Sequence, residues 1–582
     1  MATSGSAKPP CYIGTAYVQG RASGNLIASN LELSFWGGVD PRTGQVIDRH
    51  HTLSGKCLQG CILAIPGGRG SCSGSGVILE LLLNGNGPLA ILFERREDIL
   101  TLGVMMAEEI FQKSIPVVVL DPVNFASIST ASHVCIKGTQ VWTTEGIDVR
   151  EMEADSDAIE TGTGLIPDSI ELSEVDTGFL DGSHGEAARL AMRIILRMAE
   201  LQGARRLLDV TQVHIDGCVY TGPASLAFAE KLRDLGGKTV VPTSLNSISV
   251  DQRRWRAQGV ESSFGQAAEK LAAAYVDMGA RPTFTCAPYL LDTAPKRGEQ
   301  IAWAESNAVV FANSVLGAKT MKYPDFLDIA IALTGRAPEG GLHIDSNRRA
   351  SFCVIVSSSI DVKDVDDAFY PLLGYHVGRL SGPRIPLVTG LDRFQPQTED
   401  LKAFGAAFAT VSSAPMFHML GITPEATSVE AVTDPKREMT SIDLDLASLQ
   451  LCSNILNSAE AGQHVDLVSL GNPHFSFAEI RNLAHLCRGK TKQEGTAIVV
   501  TCGRSIFGLA SQAGLIAELE QFGVDFITDT CWCMIDEPII PRAAKVIMTN
   551  SAKYAHYGPG LTGKRFYFGS LANCVAAACA PE

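Results

Sequence analysis

Apolar and polar positions change their rhythm along this chain. From about residue 10 to 144 the apolar runs are short and broken by glycine at Gly20, Gly24, Gly37, Gly38, Gly44, Gly55 and Gly60. That texture predicts short strands. Later runs at 89–93 and 115–120 are further strands, with a helix over 76–83 between them and the glycine-rich part. Residues 1–144 therefore read as a small β-rich α/β domain. From about residue 171 the period lengthens. Leu190, Ile194, Ile195, Met198 and Leu201 recur at helical spacing and predict an amphipathic helix over 187–202. Apolar runs at 207–213, 239–241, 352–356, 465–470, 497–500, 524–527 and 545–548 then alternate with helical stretches. Alternation of this kind predicts an α/β fold, a large multi-layer domain over 171–582 with mainly parallel sheets. No internal repeat is visible.

The chain's 582 residues exceed what one core supports. Its 46% hydrophobic and 19% charged content fits well-buried domains. The net charge of −15 is local rather than global. Between Glu145 and Glu186 stand thirteen acidic residues against one basic residue, Arg150. The natural reading is a solvated acidic linker over 145–170, and what remains is not basic enough to track nucleic acid. No apolar run reaches the length of a membrane span, and the first ten residues lack the core of a signal peptide. Fifteen unpatterned cysteines suit a reducing compartment, so a cytoplasmic protein is expected.

Candidate chemistry sits at predicted strand ends, where open α/β sheets gather ligands. Cys286, in Pro282-Thr-Phe-Thr-Cys-Ala-Pro-Tyr289, and Cys531, closing 524–530, are remote thiols with no Cys-x-x-Cys partner. They read as ligands to one soft metal, since thiolates donate strongly to iron. The competing reading is two inert buried thiols, and it is preferred for Cys218, Cys502 and Cys533. Gly67-Gly-Arg-Gly-Ser-Cys-Ser-Gly-Ser-Gly76 is an anion cradle or a tight turn, with Ser71 a candidate base. Glu305, Ser306, Asn307, Asn313, Ser314 and Lys319 interrupt an apolar helix-like run over 303–314 and its continuation, and Glu305 suits a metal or an ammonium. His214 with Asp216, His418 and Lys553 are further candidates, each weighed against a structural role.

Together these segments resemble the aconitase X family, and the resemblance covers almost the whole chain. Arg69-Gly-Ser71 is similar to the loop of the family's small swivelling domain. His214-Ile-Asp-Gly-Cys218, Val241-Pro-Thr243, Thr283-Phe-Thr-Cys-Ala-Pro-Tyr289, Glu305-Ser-Asn307, Gly421-Ile-Thr-Pro-Glu425, Thr530-Cys531 and Ser551-Ala-Lys-Tyr554 resemble its large domain. The resemblance implies metal ligands at Cys286 and Cys531, with Asn472 at the third-ligand position and Glu305 as a further donor. Two retained thiolates imply a two-iron, two-sulfur (2Fe-2S) cluster, with mononuclear iron as the alternative. The fused small domain resembles the single-chain branch that dehydrates cis-3-hydroxy-L-proline to Δ1-pyrroline-2-carboxylate. In that reading Ser71 is the base at Cα, and Arg69, His214, Thr243, Glu305, Asn313, Ser314 and Lys553 surround the substrate. A monomeric hydro-lyase acting on a small molecule is expected. The alternatives are a mevalonate 5-phosphate dehydratase of the same family, a metal-independent thiol enzyme using Cys286, and an RNA-binding iron sensor disfavoured by the acidic balance.

Overall fold

The protein is described by a computed structural model over residues 10–143 and 169–580. The expected 145–170 linker lies outside the described residues except for Ser169 and Ile170. In the small domain, Arg21–Ala28, Ile62–Ile65, Ala90–Phe93 and Val117–Val119 run parallel in the middle of an eight-stranded sheet. Thr15–Val18 closes one edge antiparallel, and His133–Lys137, Gln140–Thr143 and Cys11–Ile13 extend the other. Ile62–Ile65 and Ala90–Phe93 are buried along their whole length. Strands covered on both faces read as unbroken apolar runs, which is how the sequence shows them.

The remainder carries three parallel sheets, each with its own helices. Val213–Ile215 lies between Thr243–Leu245 and Ala302–Trp303. Phe352–Val356 and Pro386–Thr389 are central in a four-stranded sheet, and Leu467–Phe475 is central in a five-stranded one. Glu186–Gln202 forms the amphipathic helix, with its expected apolar face buried. The mixed, mainly parallel α/β architecture is the one expected. Two strands differ in detail. The 207–213 run divides at polar Thr211 and Gln212, so Leu207–Asp209 pairs antiparallel with Arg336–Pro338 while Val213–Ile215 enters the parallel sheet. Residues 239–241 are not a strand. Pro242 has no N–H to give a ladder, and pairing begins after it at Thr243.

Helix Gly74–Leu83 fastens the small domain to the large part. All its residues but the last are buried, and one continuous apolar cluster runs from the small sheet into the 169–346 region. Glu80 reaches across that junction. Its carboxylate accepts a hydrogen bond from the Ala224 N–H at 3.1 Å, at the start of helix Pro223–Asp234. Gly222, the residue at the cap, has no hydroxyl or carboxylate of its own, and a Cβ there would stand 2.2 Å from Glu80 Cδ. Glu80 thus supplies the missing N-cap from another domain.

Candidate active site

Two parallel sheets turn their carboxyl ends toward one another. From one come Asp216, Asn246 and Glu305, just past Val213–Ile215, Thr243–Leu245 and Ala302–Trp303. From the other come Cys531 and Lys553, past Val524–Thr528 and Val546–Thr549, and Asn472 within Leu467–Phe475. Local geometry aims these groups. Gly471 has φ +96°, and a Cβ there would lie 2.1 Å from the Thr501 carbonyl oxygen, so only glycine permits the bulge that carries Asn472. Asp529 takes φ +72° ahead of Cys531 and is held by Arg504. An acidic residue tolerates that left-handed turn better than most.

The remote thiols meet. Cys286 and Cys531 are hydrogen-bonded to each other, and Cys531 also to Cys533. The Cys286 sulfur accepts the His474 N–H at 3.3 Å, and the Cys533 sulfur accepts Asn472 Nδ2 at 3.3 Å. Burial pushes the Cys286 thiol well up. Hydrogen bonds from Cys286 and Cys533 pull Cys531 well down, aided by the Lys553 ammonium. The Cys531 interaction pushes Cys533 well up, with burial adding to it. Of the three thiols, Cys531 is the one whose surroundings favour the thiolate. His474 is kept neutral by burial, its Nε2 donating to the Thr530 carbonyl at 2.8 Å.

Beside the thiols Lys553 Nζ donates to Glu305 Oε1 at 2.9 Å, both side chains being buried. Burial alone would raise the Glu305 carboxyl, but Lys553 and the Asn307 amide hold it below its usual value. Asn246 Nδ2 bridges Glu305 Oε2, at 3.4 Å, to Asp216 Oδ1. Asp216 Oδ2 accepts the Ser73 hydroxyl at 3.0 Å, and Ser73 Oγ accepts the Ser71 hydroxyl at 3.2 Å. Ser247, which donates to Asn246 Oδ1 at 3.4 Å and is hydrogen-bonded to Cys531, completes a polar chain from the glycine-rich loop of the small domain to the thiols. Lys322 lies against that loop, donating to the Gly70 carbonyl at 3.3 Å, and desolvation lowers it to about 8.

Other candidates fall differently. His214 is fully buried and its Nδ1 pairs with Ser244 Oγ at 2.8 Å. Its Nε2 has no protein partner, and burial lowers the ring to about 3, so it is neutral. Arg69 is engaged by Asp48, the Glu32 carbonyl and the Thr410 carbonyl. Thr243 donates to the Val241 carbonyl. Asn313 is saturated by Thr320, Pro415 and Arg348, and Ser314 Oγ accepts the Phe417 N–H. His418 bonds the Arg348 carbonyl. The hydrogen bonds of Arg69, Thr243, Asn313, Ser314 and His418 all go to groups outside that polar chain.

Sequence reasoning passed over Ser73, Asn246, Lys322, Asp325 and Asp328 as site residues. Asp325 and Asp328 are fully buried beside Asp216, and Asp328 Oδ2 accepts the N–H groups of Asp216 and Gly217 at 2.8 and 3.0 Å. Burial pushes Asp328 up to about 6. Two acids inside the apolar stretch Phe326-Leu-Asp-Ile-Ala-Ile-Ala332 and its approach were the available signal.

Among the described residues no group of three or more His, Cys, Asp or Glu side chains is placed to hold a metal ion. The donor set is instead the contacting pair Cys286 and Cys531, with Cys533 and Asn472 behind. Soft sulfur donors that receive N–H hydrogen bonds suit a small iron or iron–sulfur centre.

Comparison with known proteins accounts for nearly the whole chain. Residues 12–144 match the aconitase X swivel domain, 169–346 the aconitase X first domain, 351–453 the second and 465–580 the third. A cis-3-hydroxy-L-proline dehydratase of Hypocrea jecorina is 67% identical over 98% of this chain and 95% of its own length. A protein of the same name from Pseudomonas aeruginosa is 51% identical over 96% and 95%. The phosphomevalonate dehydratase large subunit of Methanothermobacter thermautotrophicus is 33% identical over 67% of this chain and 94% of its own. The crystal structure of Thermococcus kodakaraensis aconitase X (holo-form) superimposes with a TM-score of 0.63 at 30% identity, covering 70% of this chain and all of that one. With all four family domains in order and these relatives alongside, the chain belongs to the aconitase X family.

Proposed function

We propose that this chain is a hydro-lyase that dehydrates cis-3-hydroxy-L-proline to Δ1-pyrroline-2-carboxylate. The observation that carries the reading is the 67% and 51% identity, over nearly full length, to two dehydratases of that substrate. Phosphomevalonate dehydratase large subunits are 33% and 31% identical over 67% and 69% of this chain, and a small subunit of that name is 45% identical over only 15% of it.

The site's own residues suit the reaction. Ser71 sits buried on the small-domain loop and removes the Cα proton, its developing charge met by the Ser73 backbone N–H, 3.3 Å from Ser71 Oγ. Lys553 stays protonated, because Glu305 and the thiols outweigh the effect of its burial. The ammonium protons not used by Glu305 are available to the substrate carboxylate. Neutral His214 keeps Nε2 without a protein partner, available as a hydrogen-bonding group for the substrate. The apolar docking of the small domain keeps water away while the enamine tautomerises to the imine. Cys286 and Cys531 would hold the 2Fe-2S centre, with Cys533 and Asn472 next to them. When bound, that centre supplies Lewis acidity toward the C3 hydroxyl.

The reading extends to a cytoplasmic monomer. All fifteen cysteines are free, and no helix among the described residues is long and apolar enough to cross a membrane. The test is anaerobic purification, iron and sulfide counting with EPR, and turnover of cis-3-hydroxy-L-proline followed by NMR. Two irons and two sulfides per chain with stoichiometric imine product are expected. One iron without sulfide would replace the cluster by mononuclear iron, and absence of turnover in the iron-loaded protein would refute the activity.

A further inference from the structure

Ser73 occupies the N-cap position of helix Gly74–Leu83, yet its side chain makes no capping bond. A serine there ordinarily accepts a backbone N–H from the first turn. Here the hydroxyl is turned away from its own helix. It accepts from Ser71 Oγ at 3.2 Å and donates to Asp216 Oδ2 at 3.0 Å, across the junction between the domains. All three groups are buried. The donors run in one direction, from Ser71 through Ser73 to a carboxylate. Asp216 also receives Asn246 Nδ2 on its other oxygen, so its donors mark it as the charged member of the acid pair it makes with Asp325. Asp325 keeps Oδ1 without a partner in the protein. Burial and the neighbouring acids push both carboxyls of that pair up.

We infer that Ser73 and Asp216 form a proton relay that makes the Ser71 hydroxyl a competent base. The inference rests on the dehydratase reading above and deepens it. A serine hydroxyl alone is too weak a base for a Cα proton. Coupled to Asp216 it need never become a free alkoxide. As the Cα–H bond breaks, its electron pair becomes the C2–C3 double bond and its proton passes to Ser71 Oγ. The proton of Ser71 moves to Ser73, and that of Ser73 to Asp216 Oδ2. The C3–O electron pair departs with hydroxide, which takes one proton back along the same hydroxyls to form water. The relay is then restored, and substrate equals product plus water. Ser73 and Asp216 are positioning residues in this scheme, since they act through Ser71.

The experiment compares iron-loaded wild type, Ser71→Ala, Ser73→Ala, Asp216→Asn and the double variant Ser73→Ala/Asp216→Asn on cis-3-hydroxy-L-proline, with and without deuterium at Cα. Loss of positioned acid–base help is expected to lower kcat about 100-fold in each single relay variant, with KM within about twofold. The double variant should be no slower than the worse single one, because groups that act as a unit are not additive. The deuterium effect on kcat should rise in Ser73→Ala. A Ser73→Ala protein with kcat within about threefold of wild type, or losses that multiply while the isotope effect stays unchanged, would overturn the relay. Ser73→Ala removes an oxygen that caps nothing in its own helix, so it carries the test alone if Asp216→Asn does not fold. A wild type that fails to turn over the substrate would sink the dehydratase reading itself, whereas active wild type with inactive Ser71→Ala and fully active Ser73→Ala sinks only the relay.

Discussion

Gly70→Ala is a sharp test of how the base is presented. Gly70 precedes Ser71 and has φ +78°, where an L side chain costs about 1–2 kcal/mol. A Cβ at this position would lie 2.5 Å from Tyr557 Oη and 2.8 Å from Ser34 Oγ. The tyrosine is buried in the large domain and its hydroxyl donates to the Thr410 carbonyl at 3.2 Å, so it has little room to yield. The contact with Oη is short of ordinary van der Waals distance by roughly 0.9 Å, and the loop must absorb that shift. Displacing a reacting group by about 1 Å costs about 100-fold, or about 2.7 kcal/mol of barrier. Gly70→Ala is therefore expected to lose about two orders of magnitude in kcat with a modest change in KM, in steady-state kinetics on the iron-loaded protein. Adding Tyr557→Phe removes the oxygen that clashes, leaving only the rotatable Ser34 hydroxyl. It should recover about tenfold relative to Gly70→Ala, measured as a double-mutant cycle with Tyr557→Phe alone. Unchanged kcat in Gly70→Ala, or no response to removal of the tyrosine hydroxyl, would refute the reasoning.

Lys553→Met leaves the Glu305 carboxylate buried without its cation, a loss of about 3–5 kcal/mol that should lower the thermal midpoint. Adding Glu305→Gln should return part of it, and an unchanged midpoint in Lys553→Met would show that the pair is not desolvated as described. Glu97 gives a pH signature. It accepts the N–H groups of Ile99, Leu100 and Thr101 at the start of helix Ile99–Phe111, and burial together with Asp98 pushes it up to about 7 from its usual 4.5. The folded protein thus keeps a proton that the unfolded chain has already released, and stability falls as pH rises from about 4.5 to 7, by up to about 3 kcal/mol. Glu97→Gln removes this dependence, so thermal melts across that window should show the difference between the proteins moving in the variant's favour. A constant difference would count against it.

Much of the architecture was legible because many of the parallel strands are largely apolar runs buried along their length, as in Leu467–Phe475 and Val546–Thr549. Misplacements came where one backbone atom decides. Pro242 delays a ladder by removing a donor, and two polar residues divert the chain after Asp209. In the site, chemistry-bearing groups at strand ends could be marked from sequence, but their partners could not. Asp216 is completed by Asp325 and Asp328, more than a hundred positions away, and Ser73 shows its role only by failing to cap its own helix. Cys533 reads as inert from its apolar neighbours, yet the turn over Trp532–Met534 sets its sulfur against Cys531. Hydrophobic periodicity reports which face is inward. It carries no record of which inward polar groups touch.

The carboxylate that Glu80 lends to helix Pro223–Asp234 makes separation of the lobes a local unfolding problem as well as a rigid rotation. Swinging the amino-terminal lobe away strips that helix of its cap, at a cost of about 1 kcal/mol, while also uncovering apolar surface. That increment alone biases the equilibrium about fivefold toward the shut arrangement. A latch built this way fails gradually. Trimming Glu80 to alanine would ease product escape and fray the first turn of a helix in the other lobe, two effects that one residue ties together.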